Sequence, residues 1–164
     1  MRLFVALDLP EAVRGALHDW AASLADPSLR LIAPESLHVT LLFLGESEPV
    51  ALPPAGSAPS LRIARARRTP RFLAVSLDDP SGRAAELHRA VVAAAEREPE
   101  PRPFWPHVTV ARPRDRRGRP RRAALPPPPA LEFAGEALTL YRSHLGHGPA
   151  RYEAVASAPF STLS

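Results

Sequence analysis

The sequence predicts an α+β protein in which many short strands accompany two helices. Short runs with alternating or continuous apolar character recur between turns that contain proline or glycine, which is typical of strands. Two longer segments instead space their apolar residues three and four positions apart, which is typical of helices. Because most strands follow one another through links of hairpin length, we expect mainly antiparallel pairing.

The expected elements alternate along the chain. The first helix is expected at residues 11–25 and the second at residues 81–98, with Ser81 as its cap. His18 and His88 fall within these two helices, and we expect both on the solvent side. Strands are expected at residues 2–9, 29–33, 37–45, 60–67, 70–78, 106–114, 136–145 and 151–160.

Length and composition describe a single globular domain. The chain has 164 residues, of which 45% are hydrophobic and 23% charged, and this is enough for an apolar core. No run approaches the roughly 18 to 20 apolar residues of a membrane span, and Asp8 interrupts the first apolar run, so no signal sequence is expected. We therefore expect a cytoplasmic monomer.

The absence of cysteine excludes disulfides, thiolate metal sites and a cysteine nucleophile.

The positive charge is carried by arginine alone. All 21 basic residues are arginines and the formal net charge is +4. The densest group, "RPRDRRGRPRR" at residues 112–122, fits either a solvated loop or a contact with nucleic acid. A second group at residues 62–71 is predicted to lie in a strand with one face in water.

A histidine–valine–threonine triplet occurs twice. "PESLHVTLLFLG" contains His38 and Thr40, and "PFWPHVTVARPR" contains His107 and Thr109; each segment also has a proline four positions before the histidine. In both halves of the chain the triplet follows a strand and a helix. This repetition predicts a single domain, residues 1–164, built of two similar lobes.

Strand geometry explains why the triplet matters. Side chains alternate between the faces of a strand, so each histidine and its threonine point to one face, about 6.5 to 7 Å apart, and the valine points to the other. Polar groups buried without partners cost several kcal/mol. We therefore expect both strands to line a cleft between the lobes, where the two histidines and two threonines meet.

These four residues suit the hydrolysis of a phosphodiester. Two histidines that titrate near neutral pH can divide proton removal and proton donation between them. The threonine hydroxyls, with Arg112, can hold the oxygens on which charge develops. Catalytic zinc generally takes three protein ligands, and neither His-Val-Thr triplet contains an acidic residue, so no metal is expected. A pair of satisfied core histidines is the structural alternative.

At these residues the sequence resembles the 2H phosphoesterases, and within them the bacterial and archaeal RNA 2',3'-cyclic phosphodiesterases, also called 2'-5' RNA ligases. The doubled motif "HVTLLFLGE" and "PHVTVAR" carries the resemblance. The likeness covers most of the chain, because "RLFVALDLP" resembles the opening strand of the family, "PRFLAVSLD" a middle strand and "LTLYRSHLGHGPARYEAVASAPF" the closing hairpin.

The resemblance implies a bilobal, pseudo-symmetric fold with two antiparallel sheets around a central cleft and helices packed outside. It implies opening of 2',3'-cyclic phosphates at RNA ends to 2'-phosphates, without a cofactor, and a weaker reverse reaction that forms 2'-5' bonds. His107 then corresponds to the base for water and His38 to the acid for the 3' oxygen. Arg112 matches an arginine of the family motif, and Phe43 lies where an aromatic residue near the base pocket is common.

The chain departs from the family between residues 45 and 61, where a proline-rich stretch replaces a helix, and near Pro126. Two other functions stay open at this point. One is a cyclic phosphodiesterase for a small nucleotide or an ADP-ribose derivative. The other is an RNA-binding module that uses the arginines and performs no chemistry.

Overall fold

The computed structural model describes residues 1–115 and 124–161, and its elements follow the predicted order. Residues 116–122, most of the arginine-rich segment, lie outside the described residues. The helices are α1 (Glu11–Ser23) and α2 (Arg83–Ala94), with a 3₁₀ turn at Pro34–Ser36. The strands are β1 (Arg2–Asp8), β2 (Leu29–Leu31), β3 (His38–Glu46), β4 (Ser60–Arg68), β5 (Leu73–Asp78), β6 (His107–Pro113), β7 (Glu132–Ala134), β8 (Ala137–His144) and β9 (Arg151–Pro159).

The strands pair antiparallel in the order β7-β4-β5-β6-β3-β1-β8-β9. Only the pair Val39–Val108 joins β3 to β6, because β2 pairs with the rest of that edge of β6. The sheet therefore consists of two halves that meet at a single register pair. This arrangement confirms the predicted α+β class with antiparallel strands.

Each helix packs on the half of the sheet that does not contain the strand before it. α1 follows β1, yet its Leu17 packs with Val75 and Val108 in the core of the β5–β6 half. α2 follows β5, yet its Leu87 packs with Leu41 in the core of the β1–β3 half. Burial of the apolar face of each helix therefore stabilises the packing of the two halves of the sheet against each other.

The start of α2 differs from the prediction. The helix begins at Arg83. Two N–H groups of its first turn, those of Ala84 and Ala85, donate to the Asp79 carboxylate at 3.1 and 3.0 Å. Ser81 accepts from the Arg83 N–H at 3.3 Å but does not occupy the cap position, which is Gly82. A charged carboxylate is the stronger acceptor at a helix N-terminus, which explains this outcome.

The two helical histidines are not on the solvent side, so that prediction is wrong. Nδ1 of His18 donates to the Ile32 carbonyl at 3.1 Å, and Nδ1 of His88 donates to the Leu41 carbonyl at 2.7 Å. His88 also stacks on Phe104, with ring centroids 4.6 Å apart. Both rings are half-buried and tie their helices to neighbouring segments.

The proline-rich stretch after β3 forms neither helix nor strand over residues 47–56. Val50 and Leu52 nevertheless pack against the core of the β1–β3 half. Proline removes backbone donors and disfavours the helical conformation in the residue before it, which explains why no helix forms.

Candidate active site

A cavity of about 370 Å³ lies where β3 and β6 meet. The six site residues predicted from the sequence all line it: His38, Thr40, Phe43, His107, Thr109 and Arg112. The cavity is open to solvent, and its other walls come from β1, the segments before β3 and β5, and the β8–β9 hairpin.

The contact between β3 and β6 brings the two triplets together. Val39 and Val108, the middle residues, are register partners and both are completely buried. Because the strands are antiparallel, His38 lies across from Thr109 and Thr40 lies across from His107. Both rings line the same cavity, and the charge of His107 acts on His38, so an anion bound between the two strands can contact both rings.

Both histidines are held in the same way. Nδ1 of His38 donates to the Ser36 carbonyl at 2.8 Å, and Nδ1 of His107 donates to the Trp105 carbonyl at 2.8 Å. A carbonyl oxygen can only accept, so the proton of each neutral ring sits on Nδ1. Nε2 is therefore the basic atom of each ring; that of His38 lies 2.9 Å from Oγ1 of Thr40, whose hydroxyl donates to it.

A one-residue bulge in β3 turns Phe43 into the cavity. Ala6 pairs with Thr40 and Val5 with Leu42, so Leu41 is an extra residue on β3. Strict alternation from His38 would place Phe43 on the core face. Beyond the bulge the alternation is reversed, and the Phe43 side chain is 72% exposed at the cavity.

A matching bulge in β6 turns Arg112 into the cavity. Ala74 pairs with Thr109 and Leu73 with Ala111, so Val110 is the extra residue. Without it, Arg112 would face the core together with Val108. In both strands the bulged residue lies three positions after the histidine. The side chain that the bulge turns into the cavity lies five positions after the histidine.

Burial lowers the pKa of both histidines below the ordinary value. For His38 the Ser36 carbonyl and Asp8 oppose this effect, whereas the charges of His107 and Arg112 add to it. For His107 the Trp105 carbonyl opposes it and the charge of Arg67 adds to it. Both rings are therefore neutral at pH 7 in the free protein. Only His38 has a negatively charged neighbour among these causes: Asp8 favours its protonated form more than Arg112 disfavours it, whereas Arg67 disfavours a protonated His107.

Comparison with known proteins identifies the family. Residues 7–70 match the family described as LigT-like phosphoesterases. The RNA 2',3'-cyclic phosphodiesterase of Escherichia coli K12 is 32% identical over 174 aligned positions, which cover 92% of each chain. The chain belongs to this phosphodiesterase family. It is therefore an enzyme, a hydrolase, and the resemblance stated from the two H-x-T motifs is confirmed.

Comparison with solved structures agrees with the fold. The crystal structure of E. coli LigT complexed with phosphate superposes with a TM-score of 0.80 at 26% identity, over 98% of each chain. The crystal structure of TT0787 from Thermus thermophilus superposes with a TM-score of 0.71 at 29% identity, over 97% of each chain. The α+β phosphodiesterase fold is thus established over nearly the whole chain.

Aromatic rings that the sequence analysis did not predict surround both histidines of this phosphodiesterase. Phe4 stacks on His38 with centroids 4.9 Å apart, and Tyr152 meets the same ring edge-on at 5.4 Å. Trp105 stacks on His107 at 3.9 Å, and Phe72 lies nearly parallel to it at 5.6 Å. The sequence contained one signal for these rings. Trp105 lies two residues before His107, at the position that Ser36 occupies before His38.

Asp8 is a second feature that the sequence analysis missed. It is the register partner of His38 on β1, and its carboxylate accepts hydrogen bonds from Thr139 at 2.7 Å and Tyr141 at 2.5 Å. Burial, the hydrogen bond and the charge of Asp8 raise the pKa of Tyr141, so that its hydroxyl stays a donor. The phosphodiesterase therefore carries a fixed negative charge beside one histidine.

Within residues 1–115 and 124–161, no three His, Cys, Asp or Glu side chains are grouped so that they could hold a metal ion. In the same residues, neither helix combines the length and the apolar character of a membrane span.

Proposed function

We propose that this enzyme hydrolyses 2',3'-cyclic phosphates at RNA ends to 2'-phosphomonoesters without a metal ion, and that it also joins ends through a 2'-5' bond when the 5'-hydroxyl of a second RNA end takes the place of water. The observation that carries the proposal is the position of His38 and His107, which line one cavity from antiparallel strands with Nε2 as the basic atom of each ring. Such a pair can act on two oxygens of the same phosphorus.

His107 is the base and His38 the acid. The neighbouring charges support this division, because Asp8 favours the protonated form of His38 that an acid needs, and its effect is larger than the opposing effect of Arg112. Arg67 favours the neutral form of His107 that a base needs. A phosphate anion bound between the rings adds a negative charge, which raises the pKa of the acid in the complex.

The reaction needs one water molecule and two proton transfers. Water attacks phosphorus while Nε2 of His107 takes its proton, so a new P–O bond forms. The bond from phosphorus to the 3' oxygen breaks, and Nε2–H of His38 protonates that oxygen. The phosphate stays on the 2' oxygen, and the two histidines have exchanged protonation states.

Thr40, Thr109 and Arg112 hold the non-bridging oxygens, on which negative charge develops. In the free enzyme the Thr40 hydroxyl donates to His38 Nε2. When His38 is protonated, its Nε2–H becomes a donor, and the hydroxyl proton of Thr40 is released for the phosphate. Substrate binding and protonation of His38 therefore favour each other. Crystal structures of E. coli LigT complexed with phosphate and with 3'-AMP support a phosphate site in this family.

Phe43 is the stacking surface for the terminal base, because its exposed ring borders the cavity next to the two H-x-T motifs. The chain works as one domain of two similar lobes, and the equivalent bulges after each histidine support this duplication. A monomer in the cytoplasm suffices for activity, since one chain supplies both histidines.

The test uses an oligoribonucleotide that ends in a 2',3'-cyclic phosphate. We expect the product to be the 2'-monophosphate, formed at the same rate with and without EDTA. His38→Ala and His107→Ala should each reduce the rate by about 10² to 10⁴. His147→Ala, which changes an exposed histidine outside the cavity, is the matched control and should keep full activity.

Three results would contradict the proposal: loss of activity with EDTA, a 3'-monophosphate as the main product, or a loss of less than about tenfold in either cavity variant. Incubation of one RNA end that carries a 2',3'-cyclic phosphate with another that carries a 5'-hydroxyl tests the joining reaction, and incubation of the 2'-5'-linked dinucleotide tests its reversal.

A further inference from the structure

Three arginines form a basic pocket beside the active-site cavity. The basic pocket has a volume of about 470 Å³ and is lined by Arg30, Pro70, Arg71, Arg112 and Pro113. All three arginine side chains are exposed, and no carboxylate is part of the lining. The pocket therefore offers positive charge and little else that could bind a ligand.

Two of these arginines lie directly opposite each other. Arg30 on β2 and Arg112 on β6 are register partners in an antiparallel pair, so their side chains lie on the same face. Like charges in this position destabilise a sheet. Among the described residues, neither arginine forms an ion pair with a carboxylate, whereas Arg62 on β4 pairs with both Asp78 and Glu132. An anion from outside the protein would relieve the repulsion.

The basic pocket is continuous with the active site. Arg112 lines both the basic pocket and the cavity that holds His38 and His107. A further cavity of about 470 Å³, whose lining also includes Glu35 and Arg151, connects Arg30 and Arg112 with His38. An anion bound by Arg30 would thus lie next to the phosphorus that the histidines act on.

We propose that Arg30 and Arg71 bind the phosphodiester that joins the terminal nucleotide to the rest of the RNA, so that the enzyme selects polynucleotide ends over free cyclic mononucleotides. This inference rests on the proposed function and specifies its substrate class. Guanidinium groups bind phosphate oxygens through paired, charge-assisted hydrogen bonds. Because the basic pocket has prolines rather than aromatic rings between its arginines, it recognises the backbone and not the base.

The test compares three substrates that have the same terminal nucleotide. The first is the cyclic mononucleotide, the second is a dinucleotide ending in the cyclic phosphate, and the third is that dinucleotide with a neutral methylphosphonate linkage. We expect wild-type kcat/KM to be about ten- to a hundredfold higher for the charged dinucleotide than for the other two, as hydrogen bonds to charged groups imply.

Arg30→Ala and Arg71→Ala should each lower kcat/KM about tenfold for the charged dinucleotide and less than twofold for the other two substrates. Arg89→Ala is the matched control, because it removes an exposed arginine of α2 that lines none of the three cavities named above. Thermal unfolding of each variant shows whether the fold is intact.

Each outcome has a separate meaning. Equal losses on all three substrates, or no loss on any, would overturn this inference and leave the proposed function in place. If wild type hydrolyses no cyclic phosphate, the proposed function fails, and binding of an oligoribonucleotide with a 2'-phosphate end then tests the pocket by itself. In that experiment each arginine variant should reduce the slope of log K against log salt by about 0.7, as expected for one contact to a single strand; an unchanged slope would overturn the inference.

Discussion

Phe43 and Arg112 occupy equivalent positions in the two halves of the sheet. Each lies five residues after the histidine of its strand, and each reaches the cavity because one extra residue, Leu41 or Val110, reverses the alternation of side chains. The duplicated motif is therefore longer than the H-x-T triplet. It includes a bulge and the side chain that the bulge turns into the cavity, an aromatic ring in one half and a guanidinium in the other.

Phe43→Ala tests the aromatic member of this pair. Loss of a stacking ring should raise KM for a substrate with a terminal purine about tenfold, since base stacking on aromatic side chains is worth about 1 to 3 kcal/mol. The thermal midpoint should change little, because the ring is 72% exposed. Steady-state kinetics and thermal unfolding check both statements, with Val155→Ala as a control at another exposed apolar side chain. An unchanged KM would remove Phe43 from the base site.

Asp8→Asn tests the charge beside His38. The substitution removes an effect that raises the pKa of His38, so this pKa should fall further. His38 must be protonated to act as the acid, and the alkaline limb of kcat/KM should therefore move to lower pH. Wild-type kcat/KM should already be highest below neutral pH, because burial lowers the pKa of both histidines.

Asp19→Asn, at an exposed carboxylate of α1, should leave the pH profile unchanged. If Asp8→Asn instead scales the rate equally at every pH, Asp8 acts on the fold alone and not on His38.

His38 also makes stability depend on pH. In the folded protein the pKa of His38 lies below the ordinary value of 6.5. In the unfolded chain the pKa of this histidine is close to that ordinary value. The free energy of unfolding should be unaffected by this group above about pH 6.5 and should fall as the pH drops through the pKa of folded His38. Urea unfolding at pH 7.5 and at pH 5 should thus show a smaller difference for His38→Asn than for wild type. His147→Ala should retain the wild-type difference; equal differences in all three proteins would contradict the buried, neutral state of His38.

Trp105 positions His107 by stacking on its ring and by its backbone carbonyl. Trp105→Phe keeps a stacking ring against His107 and loses the hydrogen bond from the indole to Ser76, so kcat should stay within about threefold. Trp105→Ala removes the stack, and a loosely held base should lower kcat by about 10- to 100-fold. Equal effects of the two substitutions would show that the stack is not needed.

Thr40→Val and Thr109→Val test the hydroxyls. Removing one donor to a developing oxyanion costs about 10² to 10³ in kcat, and each substitution should reduce kcat to that extent with a smaller change in KM. Thr40→Ser keeps the hydroxyl and should retain most of the activity. A large rise in KM at constant kcat would assign the hydroxyls to ground-state binding.

The sequence by itself determined the type and order of most elements and the two triplets whose histidines and threonines line the cavity. Helical and strand periodicity are local properties, so α1, α2 and nearly all the strands were predictable to within a few residues, although β7 and the role of Asp79 at the start of α2 were not. The triplets of His38 and His107 were predictable for the same reason, because side-chain alternation along a strand places each histidine and threonine on one face.

Only the tertiary structure decided which more distant residues join them. A bulge depends on the register between neighbouring strands, so alternation alone places Phe43 and Arg112 on the wrong face. The pairing of Arg30 with Arg112, and of Asp8 with His38, likewise joins residues far apart in the chain. Such contacts arise when strands find their partners, and no local pattern contains that information.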